Sequence, residues 1–213
     1  MKQRPRIALD PSLEAHVIPH RAEYEASGAW SSERFGQIVS EHCAKNPHDE
    51  AVVDRKGLRR ITFAELDQLS NRFANWLLDE GIESGDVISV QLPNSLEATI
   101  IAVGANKAGV IINPMMTVYR AKELRHILTK TQARAIFVPG VYRGFSHPAL
   151  LRQMQKELSH DLQVVSIDIP DDDADGPSDW IDSLQEKSDS ACGRNTSASD
   201  VSVILFTSGT EAA

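Results

Sequence analysis

The chain has 213 residues, of which 41% are hydrophobic and 24% charged, and its net charge at pH 7 is -8. This size and composition are those of a globular protein that buries a core without disulfides or a structural metal. The acidic balance argues against broad nucleic-acid binding, which requires clustered lysines and arginines.

The cysteines and the first residues bear on the cellular compartment. Cys43 and Cys192 are the only cysteines and form no C-x-x-C pair, which is typical of a reducing environment. The opening MKQRPRIALDPSLEAH lacks the apolar region of a signal peptide. No window approaches the ~20 apolar residues of a membrane span. We therefore expect a cytoplasmic protein.

The first part of the chain predicts an arm, a helix and a hairpin. Residues 1–30 are mixed and polar, and we expect an irregular arm. A helix is predicted from Ser31 or Ser32 to Asn46, since Pro47 follows it. The apolar runs AVVD and RRITF flank a short turn centred on Lys56, which is typical of a β-hairpin.

The next helix has clear boundaries in the sequence. Thr62 followed three residues later by Glu65 is a capping box at its start. Gly81 stands where a glycine ends a helix. Between them the apolar residues recur at helical spacing, at Leu66, Leu69, Phe73, Trp76 and Leu77.

Strands and helices then alternate. The strands predicted are DVISVQL, VII, ARAIFV and LQVVSI, and the helices between them run from Asn94 to Gly109, over RAKELRHILTKT and over HPALLRQMQKEL. Such alternation with short connections predicts an α/β fold, a doubly wound and mostly parallel sheet with helices on both faces. We assign residues 31–167 to this unit, in which a helix and a β-hairpin precede the sheet.

The character of the sequence changes at position 168. Residues 168–200 are acidic and polar, with a short helix expected around Trp180–Glu186, and are interpreted as a linker. Residues 201–213 begin with the apolar, β-branched run VSVILF, which predicts a strand. Because it lies beyond the linker, we expect this strand to belong to a different sheet and to open the next subdomain.

The strand leads into four small residues, Thr207, Ser208, Gly209 and Thr210. Their hydroxyl and backbone N–H groups could converge on an anion, and Gly209 would let the backbone come close. The same residue types also dominate ordinary turns, so composition leaves both interpretations open. The segment is not a Walker A loop, because it lacks the G-x-x-x-x-G-K-S/T pattern.

Two other candidate sites receive less support. Counted from Asp171, carboxylates fall near the spacing of a calcium-binding EF-hand, with Gly176 at the sixth position and Asp182 at the twelfth. Pro177 and the strand-like segment before the loop favour a solvated surface loop instead. The histidines are scattered and form no metal-binding cluster, and no G-x-G-x-x-G follows the first strand of the sheet.

Three segments, in this order, resemble the core motifs of the AMP-forming acyl-adenylating enzymes. ITFAELDQLSNRFANWLLDEGIESGDVISVQLPNSLE is similar to the opening block of that family, GANKAGVIINPMMTVYRAKELRHIL to its second block, and SDVSVILFTSGTEAA to the start of its phosphate-loop motif, T-S-G-S/T-T-G-x-P-K-G. The match is closest to medium-chain fatty-acid and cyclohexanecarboxylate-type CoA ligases. Glu211 and Ala212 depart from the wider family pattern.

The resemblance implies an ATP-dependent acid–CoA ligase that acts through an acyl-adenylate, with ATP, Mg²⁺, CoA and a carboxylic acid as its cofactors and substrates. It implies that Thr207, Ser208, Gly209 and Thr210 contact the ATP phosphates. The family lysine, the acid pocket and the Mg²⁺ ligand would follow Ala213. We therefore expect an N-terminal fragment of the fold that carries no catalytic residue or metal site and is inactive alone, with apolar surface that promotes self-association. The alternative is a non-catalytic nucleotide-binding or interaction module.

Overall fold

The computed structural model of the protein describes residues 20–54, 59–169, 178–194 and 196–207. The helices in these ranges are α1 (Arg21–Ala26), α2 (Phe35–Lys45), α3 (Phe63–Asp79), α4 (Leu96–Ala108), α5 (Ala121–Thr131), α6 (His147–Met154) and α7 (Asp179–Ser183), which continues into a 3₁₀ turn (Leu184–Glu186). The strands are β1 (Glu50–Asp54), β2 (Arg59–Thr62), β3 (Val87–Val90), β4 (Ile111–Pro114), β5 (Ala135–Pro139), β6 (Val141–Tyr142), β7 (Phe145–Ser146) and β8 (Gln163–Ile167).

A parallel sheet of four strands, in the order β4-β3-β5-β8, is the centre of the molecule. Strands β1 and β2 form a separate antiparallel hairpin, and β6 and β7 form a second, short one. The predicted α/β architecture with its preceding helix and hairpin is confirmed. The short β6–β7 hairpin is an addition that the sequence pattern did not reveal.

Apolar side chains pack on both faces of the sheet, as the doubly wound prediction requires. On one face α3 and α4 cover Ile88 and Phe137, and on the other α5 and α6 cover Ile136 and Val138. Successive residues of β5 thus point to opposite faces and are all buried. Strands buried on both faces are apolar throughout, which explains the run AIFV from Ala135 to Val138.

Local sequence signals set the ends of α3 and α4. The capping box is present, since Thr62 Oγ1 accepts from Glu65 N–H and the Glu65 carboxylate accepts from Thr62 N–H. Helix α4 starts at Leu96, two residues after the predicted start at Asn94, with Ser95 as its N-cap, and Gly109 caps its other end with φ of 71°. Helix α2 starts at Phe35 rather than at Ser31 or Ser32, because Arg34 is the last extended residue before it.

Part of the predicted linker is packed on the α/β unit. Trp180, Ile181 and Leu184 are buried in the same core cluster as α3 and α4. Asn75 Nδ2 donates to the carbonyls of Ser188 and Ser190 at 2.8 and 2.9 Å. The short helix expected around Trp180–Glu186 is present, and its three apolar side chains pack into the core, which the polar composition of residues 168–200 did not indicate.

The predicted arm contains one regular element in its described part, α1, which is held by surface contacts. Arg21 Nη2 donates to Ser199 Oγ at 2.8 Å, and Arg34 Nη1 donates to Thr196 Oγ1 at 2.9 Å. Both partners lie just before the terminal segment. The arm and residues 196–199 therefore lie against each other, although the boundaries of domains in this chain stay a prediction.

Candidate functional site

An open cleft of about 640 Å³ lies beyond the carboxyl ends of β3 and β4. Val90 and Pro114, the last residues of these strands, line it. Because β4 and β5 lie on opposite sides of β3, the chain reverses its direction of travel across the sheet here. Open α/β sheets bind their ligands outside the carboxyl ends of strands at such reversals. The cleft is therefore the place in the fold where a ligand is expected.

The segment 201–207 forms one wall of the cleft through Leu205 and Phe206. It runs parallel to β4 with a bridge between Val203 and Ile112. Ile112 N–H donates to Ser202 O and Ile204 N–H donates to Ile112 O, both at 2.9 Å. The expectation that this strand belongs to a different sheet is wrong, because the backbone groups at the edge of β4 take it as their partner.

Asn113 fixes the segment against the sheet through its side chain. Its Nδ2 donates to Ile204 O at 2.9 Å, and its Oδ1 accepts from Ser89 Oγ at 3.1 Å. Asn113 and Ser89 are fully buried. A buried amide with both ends bonded is held in one orientation. The relay of hydrogen bonds from Ser89 on β3 through Asn113 on β4 to Ile204 thus determines where the segment 201–207 passes the cleft.

The structure describes only the first of the four residues predicted to contact phosphate. Thr207 is exposed and directly follows Phe206, which lines the cleft. Ser208, Gly209 and Thr210 lie outside the described residues, as do positions 171–177 of the calcium-loop hypothesis. Their roles therefore stay predictions. Within the described ranges, no group of three or more His, Cys, Asp or Glu side chains could hold a metal ion.

A loop from Met115 to Arg120 forms the opposite rim, and side chains bind the carbonyl groups of Met116, Thr117 and Tyr119. Gln91 Nε2 donates to the carbonyls of Met116 and Tyr119 at 3.0 and 3.1 Å. Arg120 Nη1 donates to the carbonyls of Thr117 and Tyr119, both at 2.8 Å. These bonds hold the loop in place at the mouth of the cleft.

His147 supports the same rim from below. Its Nε2 lies 3.3 Å from Thr117 O, and the ring packs edge-on against Phe145. Burial lowers the pKa of His147 below its ordinary value, and the nearby charge of Arg120 lowers it further. At neutral pH the imidazole is therefore uncharged, and its bond to a carbonyl places the proton on Nε2.

A buried ion triad sets the position of the loop that enters α4. Arg59 Nη1 donates to Glu97 Oε1 at 2.6 Å, its Nη2 bonds Asp54, and Asp54 Oδ2 accepts from Leu96 N–H at 3.0 Å. Burial opposes ionisation of Glu97, but the bonds from Arg59 outweigh it and lower the pKa of that carboxyl. The triad ties the β1–β2 hairpin to the start of α4, next to the cleft residues Leu92–Asn94.

The sequence profile of the AMP-binding enzyme family matches residues 39–213, which is most of the chain and includes the segment at the cleft. The chain belongs to this family of AMP-binding enzymes. The recognition made from the three motifs is therefore confirmed.

No helix among the described residues is long and apolar enough to cross a membrane.

Several curated relatives are named as CoA ligases or as AMP ligases. The chain is 31% identical to the medium-chain fatty-acid–CoA ligase of Escherichia coli K12, over 90% of this chain and 33% of that enzyme. It is 32% identical to the salicyl-AMP ligase of Mycobacterium tuberculosis over 62% of this chain and 24% of that enzyme. The chain thus spans about a third or less of these AMP-binding relatives.

Solved structures show the same fold. The apo structure of MbtA from Mycobacterium smegmatis superposes with a TM-score of 0.70 at 24% identity, over 89% of this chain and 34% of that one. A fatty acyl-CoA synthetase from M. tuberculosis gives 0.69 at 22% identity, over 82% and 32%. These similarities place the α/β unit described above within the AMP-binding fold.

The sequence motifs did not identify the residues that position the chain segments around the cleft. Asn113, Gln91 and His147 each act on a backbone carbonyl, and they do so across 25 or more positions of sequence for each contact. A polar residue inside an otherwise apolar strand is the signal that would have indicated Asn113. Nothing in the local sequence distinguishes Gln91 or His147 from surface residues.

Proposed function

We propose that this chain provides the N-terminal part of an ATP-dependent acid–CoA ligase. The family match over residues 39–213 carries this proposal, because it includes both the α/β unit and the segment that enters the cleft. The names of the curated relatives support ligase chemistry on carboxylic acids. Both CoA ligases and a salicyl-AMP ligase occur among them, so CoA as the acceptor is part of the proposal.

In the proposed reaction a carboxylate oxygen attacks the α-phosphorus of ATP, and the bond to pyrophosphate breaks to leave acyl-AMP. The sulfur of CoA then attacks the acyl carbon, AMP leaves, and the thiol proton passes to solvent. Hydroxyl and N–H groups of Thr207, Ser208, Gly209 and Thr210 would donate to the β- and γ-phosphates as charge develops on the leaving group. Because the described residues offer no metal cluster, we assign no ligand for Mg²⁺.

We further propose that residues 1–213 alone do not activate acids. The described lining of the cleft contains no charged side chain and is mostly apolar. A triphosphate in such a place would lack the cations that phosphoryl and adenylyl transfer require. The missing charge would have to come from the remaining two thirds of the length of a relative such as the E. coli ligase.

The first test measures acid-dependent exchange of pyrophosphate into ATP by the purified 213-residue chain, with octanoate as the acid. We expect exchange no faster than in the absence of protein. Exchange that requires both the acid and the chain would show that the chain is sufficient, and would overturn this part of the proposal.

The second test uses the chain extended by the downstream segment that its relatives carry. Replacing Thr210 by Ala is expected to lower kcat/KM for acyl-CoA formation by roughly 10²-fold, the usual cost of one donor at a developing charge. The exposed Thr129 on α5, replaced by Ala, is the matched control and should leave kcat/KM unchanged. An unaltered kcat/KM in the Thr210→Ala enzyme would remove the phosphate role.

A non-catalytic interaction module is the second candidate. The exposed side chains of Met116, Val118 and Leu205 around an uncharged cleft favour it. Calorimetric titration of the chain with ATP separates the candidates. Saturable binding of ATP by the chain, with no acyl-CoA formed by the extended chain of the second test, would indicate a nucleotide-binding module. Absence of ATP binding together with partner capture through the cleft would indicate an interaction module.

A further inference from the structure

A second cavity, of about 220 Å³, lies where helices α2, α3 and α4 meet the connection that leads to the segment 201–207. Gly36, Gln37 and Ser40 of α2 line one side of it, and residues 191–194 of the connection line another. We call it the α2 cavity. Among the described residues, none lines both this cavity and the cleft at the carboxyl ends of β3 and β4. The two are therefore separate places in the fold.

Two arginine side chains at the α2 cavity have no carboxylate partner. Arg34 Nη1 donates to Arg194 O at 3.4 Å and to Thr196 Oγ1 at 2.9 Å, which holds the Arg34 guanidinium at the cavity wall. Arg194 is exposed and also lines the cavity. In the part of the chain that the structure describes, neither guanidinium forms an ion pair. Two positive charges therefore line one small cavity without a compensating carboxylate.

The sign of the charge distinguishes the α2 cavity from two other cavities of this chain. A cavity of about 420 Å³ between β2, α3 and α7 is lined by arginines, but also by Glu65 and Asp182. An adjoining cavity of about 100 Å³ is lined by Glu33 and Asp200 as well as by Arg34. Of the described residues, no Asp or Glu lines the α2 cavity. A cavity lined by one sign of charge concentrates ions of the opposite sign.

Lys107 also lines the α2 cavity, but its charge is already neutralised. Its Nζ donates to Asp67 Oδ1 at 2.7 Å, to Ser70 Oγ at 2.8 Å and to Asn71 Oδ1 at 2.9 Å. An ammonium group has three N–H donors, so these three bonds use all of them. The charge available to a ligand therefore comes from Arg34 and Arg194.

Neutral donors accompany the two arginines. Asn106 Oδ1 accepts from Gly36 N–H at 2.8 Å, which leaves the Nδ2 group of Asn106 as a donor at the cavity wall. Thr196 Oγ1 accepts from Arg34, so its own O–H is a further donor. Guanidinium groups bind phosphate oxygens through two parallel N–H bonds. A set of donors with a net positive charge fits an oxyanion.

We propose that the α2 cavity binds a phosphate-type oxyanion, as inorganic phosphate or pyrophosphate or as the phosphoryl group of a larger molecule. Its volume of about 220 Å³ is below the range of about 300–1,000 Å³ for pockets that enclose drug-sized ligands, so the cavity encloses only the phosphate group. The bound anion bridges Arg34, which precedes α2, and Arg194 in the connection. It thereby fixes the connection on α2. This site does not depend on the ligase activity proposed above.

The test titrates the 213-residue chain with inorganic phosphate, pyrophosphate and AMP by calorimetry at low salt. We expect a dissociation constant on the order of 1 mM or below for at least one of these anions, and weaker binding as NaCl increases. The amide NMR signals of Gly36 and Gly193, which line the cavity, should shift with the same constant. AMP that binds no more tightly than inorganic phosphate would identify the free anion as the ligand. Tighter binding of AMP at these signals would identify a phosphorylated molecule.

Two variants test the arginines. Arg194→Gln should weaken binding by about tenfold or more, because it removes a charge-assisted bond to the anion. Arg34→Lys keeps the charge but removes the two parallel N–H bonds, so it should also weaken binding. The matched control is Arg152→Gln, which makes the same change of charge at an exposed position of α6 and should leave the constant unchanged. Circular dichroism verifies that each variant is folded.

Three results would overturn the proposal. These are no saturable binding at concentrations well above the expected constant, binding that neither arginine variant weakens, and equal weakening by Arg152→Gln, which would indicate unspecific attraction to positive charge. Each of them would leave the acid–CoA ligase proposal standing, because that proposal concerns the cleft and is tested by exchange and by acyl-CoA formation.

Discussion

The side chain of Asn113 positions the segment 201–207 against the sheet. Its amide joins Ser89 on β3 to Ile204 on the segment, and it is fully buried. The bonds between Ile112 and the segment add two backbone contacts. A segment held by so few bonds opens locally at a low free energy, and loss of any one of them weighs heavily.

We expect Asn113→Ala to loosen this segment. The substitution leaves Ile204 O and the Ser89 hydroxyl without their partner in a buried place, which costs about 1–3 kcal/mol for such groups. Hydrogen exchange of the Ile204 amide should accelerate, while exchange in β5 stays slow. Thr129→Ala, at an exposed position of α5, is the control, because it removes no bond of the relay from Ser89 through Asn113 to Ile204. Equal exchange of the Ile204 amide in the Asn113→Ala variant and the natural chain would contradict the assignment.

At the scale of elements, α7 and its 3₁₀ turn are part of the core that α3 builds. The Trp180 ring lies 5.7 Å from that of Phe73 and 6.4 Å from that of Phe137, in tilted and edge-on arrangements. Arg72 adds bonds from α3 to the carbonyls that follow α7. This element therefore stabilises the face of the sheet on which the triad and the hairpin are located.

Trp180→Ala should destabilise the whole protein. Removing a buried aromatic side chain costs about 3–5 kcal/mol, from lost burial and the cavity left behind. The free energy of unfolding in urea is the measurement. Trp30→Ala is the matched control, since Trp30 is 43% exposed and its loss should cost less than about 1 kcal/mol. Similar losses in the two variants would mean that residues 178–186 are not docked in solution.

At the scale of the whole molecule, the buried His147 and the partly buried His160 make stability depend on pH. Burial lowers the pKa of both His147 and His160 below the ordinary value. The unfolded chain then binds more protons than the folded one as pH falls through about 6.5, so stability is complete above that pH and declines below it. The lowered pKa of Glu97 acts in a more acidic range, where its stabilising charge is lost.

We predict that the free energy of unfolding decreases from about pH 7.5 to about pH 5.5. His147→Gln keeps a donor for Thr117 O and removes the titration, so it should make this decrease smaller, with His160 supplying the remainder. The same replacement at the exposed His20 is the control. Urea unfolding at several pH values gives the slope, and an unchanged slope in the His147→Gln variant would contradict the prediction.

The sequence predicted the central unit because its helices and strands carry their own signals. The capping box at Thr62, the apolar run of β5 and the left-handed Gly109 each act within a few residues. The helix expected around Trp180–Glu186 is present, but the sequence did not predict where it packs or which strand residues 201–207 would join, because both depend on residues that are distant along the chain. The polar residues around Trp180, Ile181 and Leu184 gave no sign that these three side chains enter the core, and nothing in VSVILF specifies which strand it joins.

The candidate site was predictable only in part, and by resemblance. Thr207–Thr210 match a family motif, but the structure describes Thr207 alone among them. The residues that support the cleft bind backbone carbonyl groups. Every residue type has such a group, so these contacts leave no pattern in the sequence. Gln91 and His147 therefore support the cleft only because the fold places the loop from Met115 to Arg120 next to them.

The triad of Asp54, Arg59 and Glu97 has a consequence for synthesis of the chain on the ribosome. Glu97 lies 38 positions after Arg59. The ribosome adds about 5–20 residues per second, so Glu97 is added roughly 2–8 s after Arg59. During that interval the β1–β2 hairpin lacks the Glu97 carboxylate. The arginine and Asp54 remain hydrated until α4 emerges, because burying them earlier would leave Arg59 without its second carboxylate. The hairpin therefore docks only after the chain has been extended well past it, and the order of synthesis sets the order of assembly.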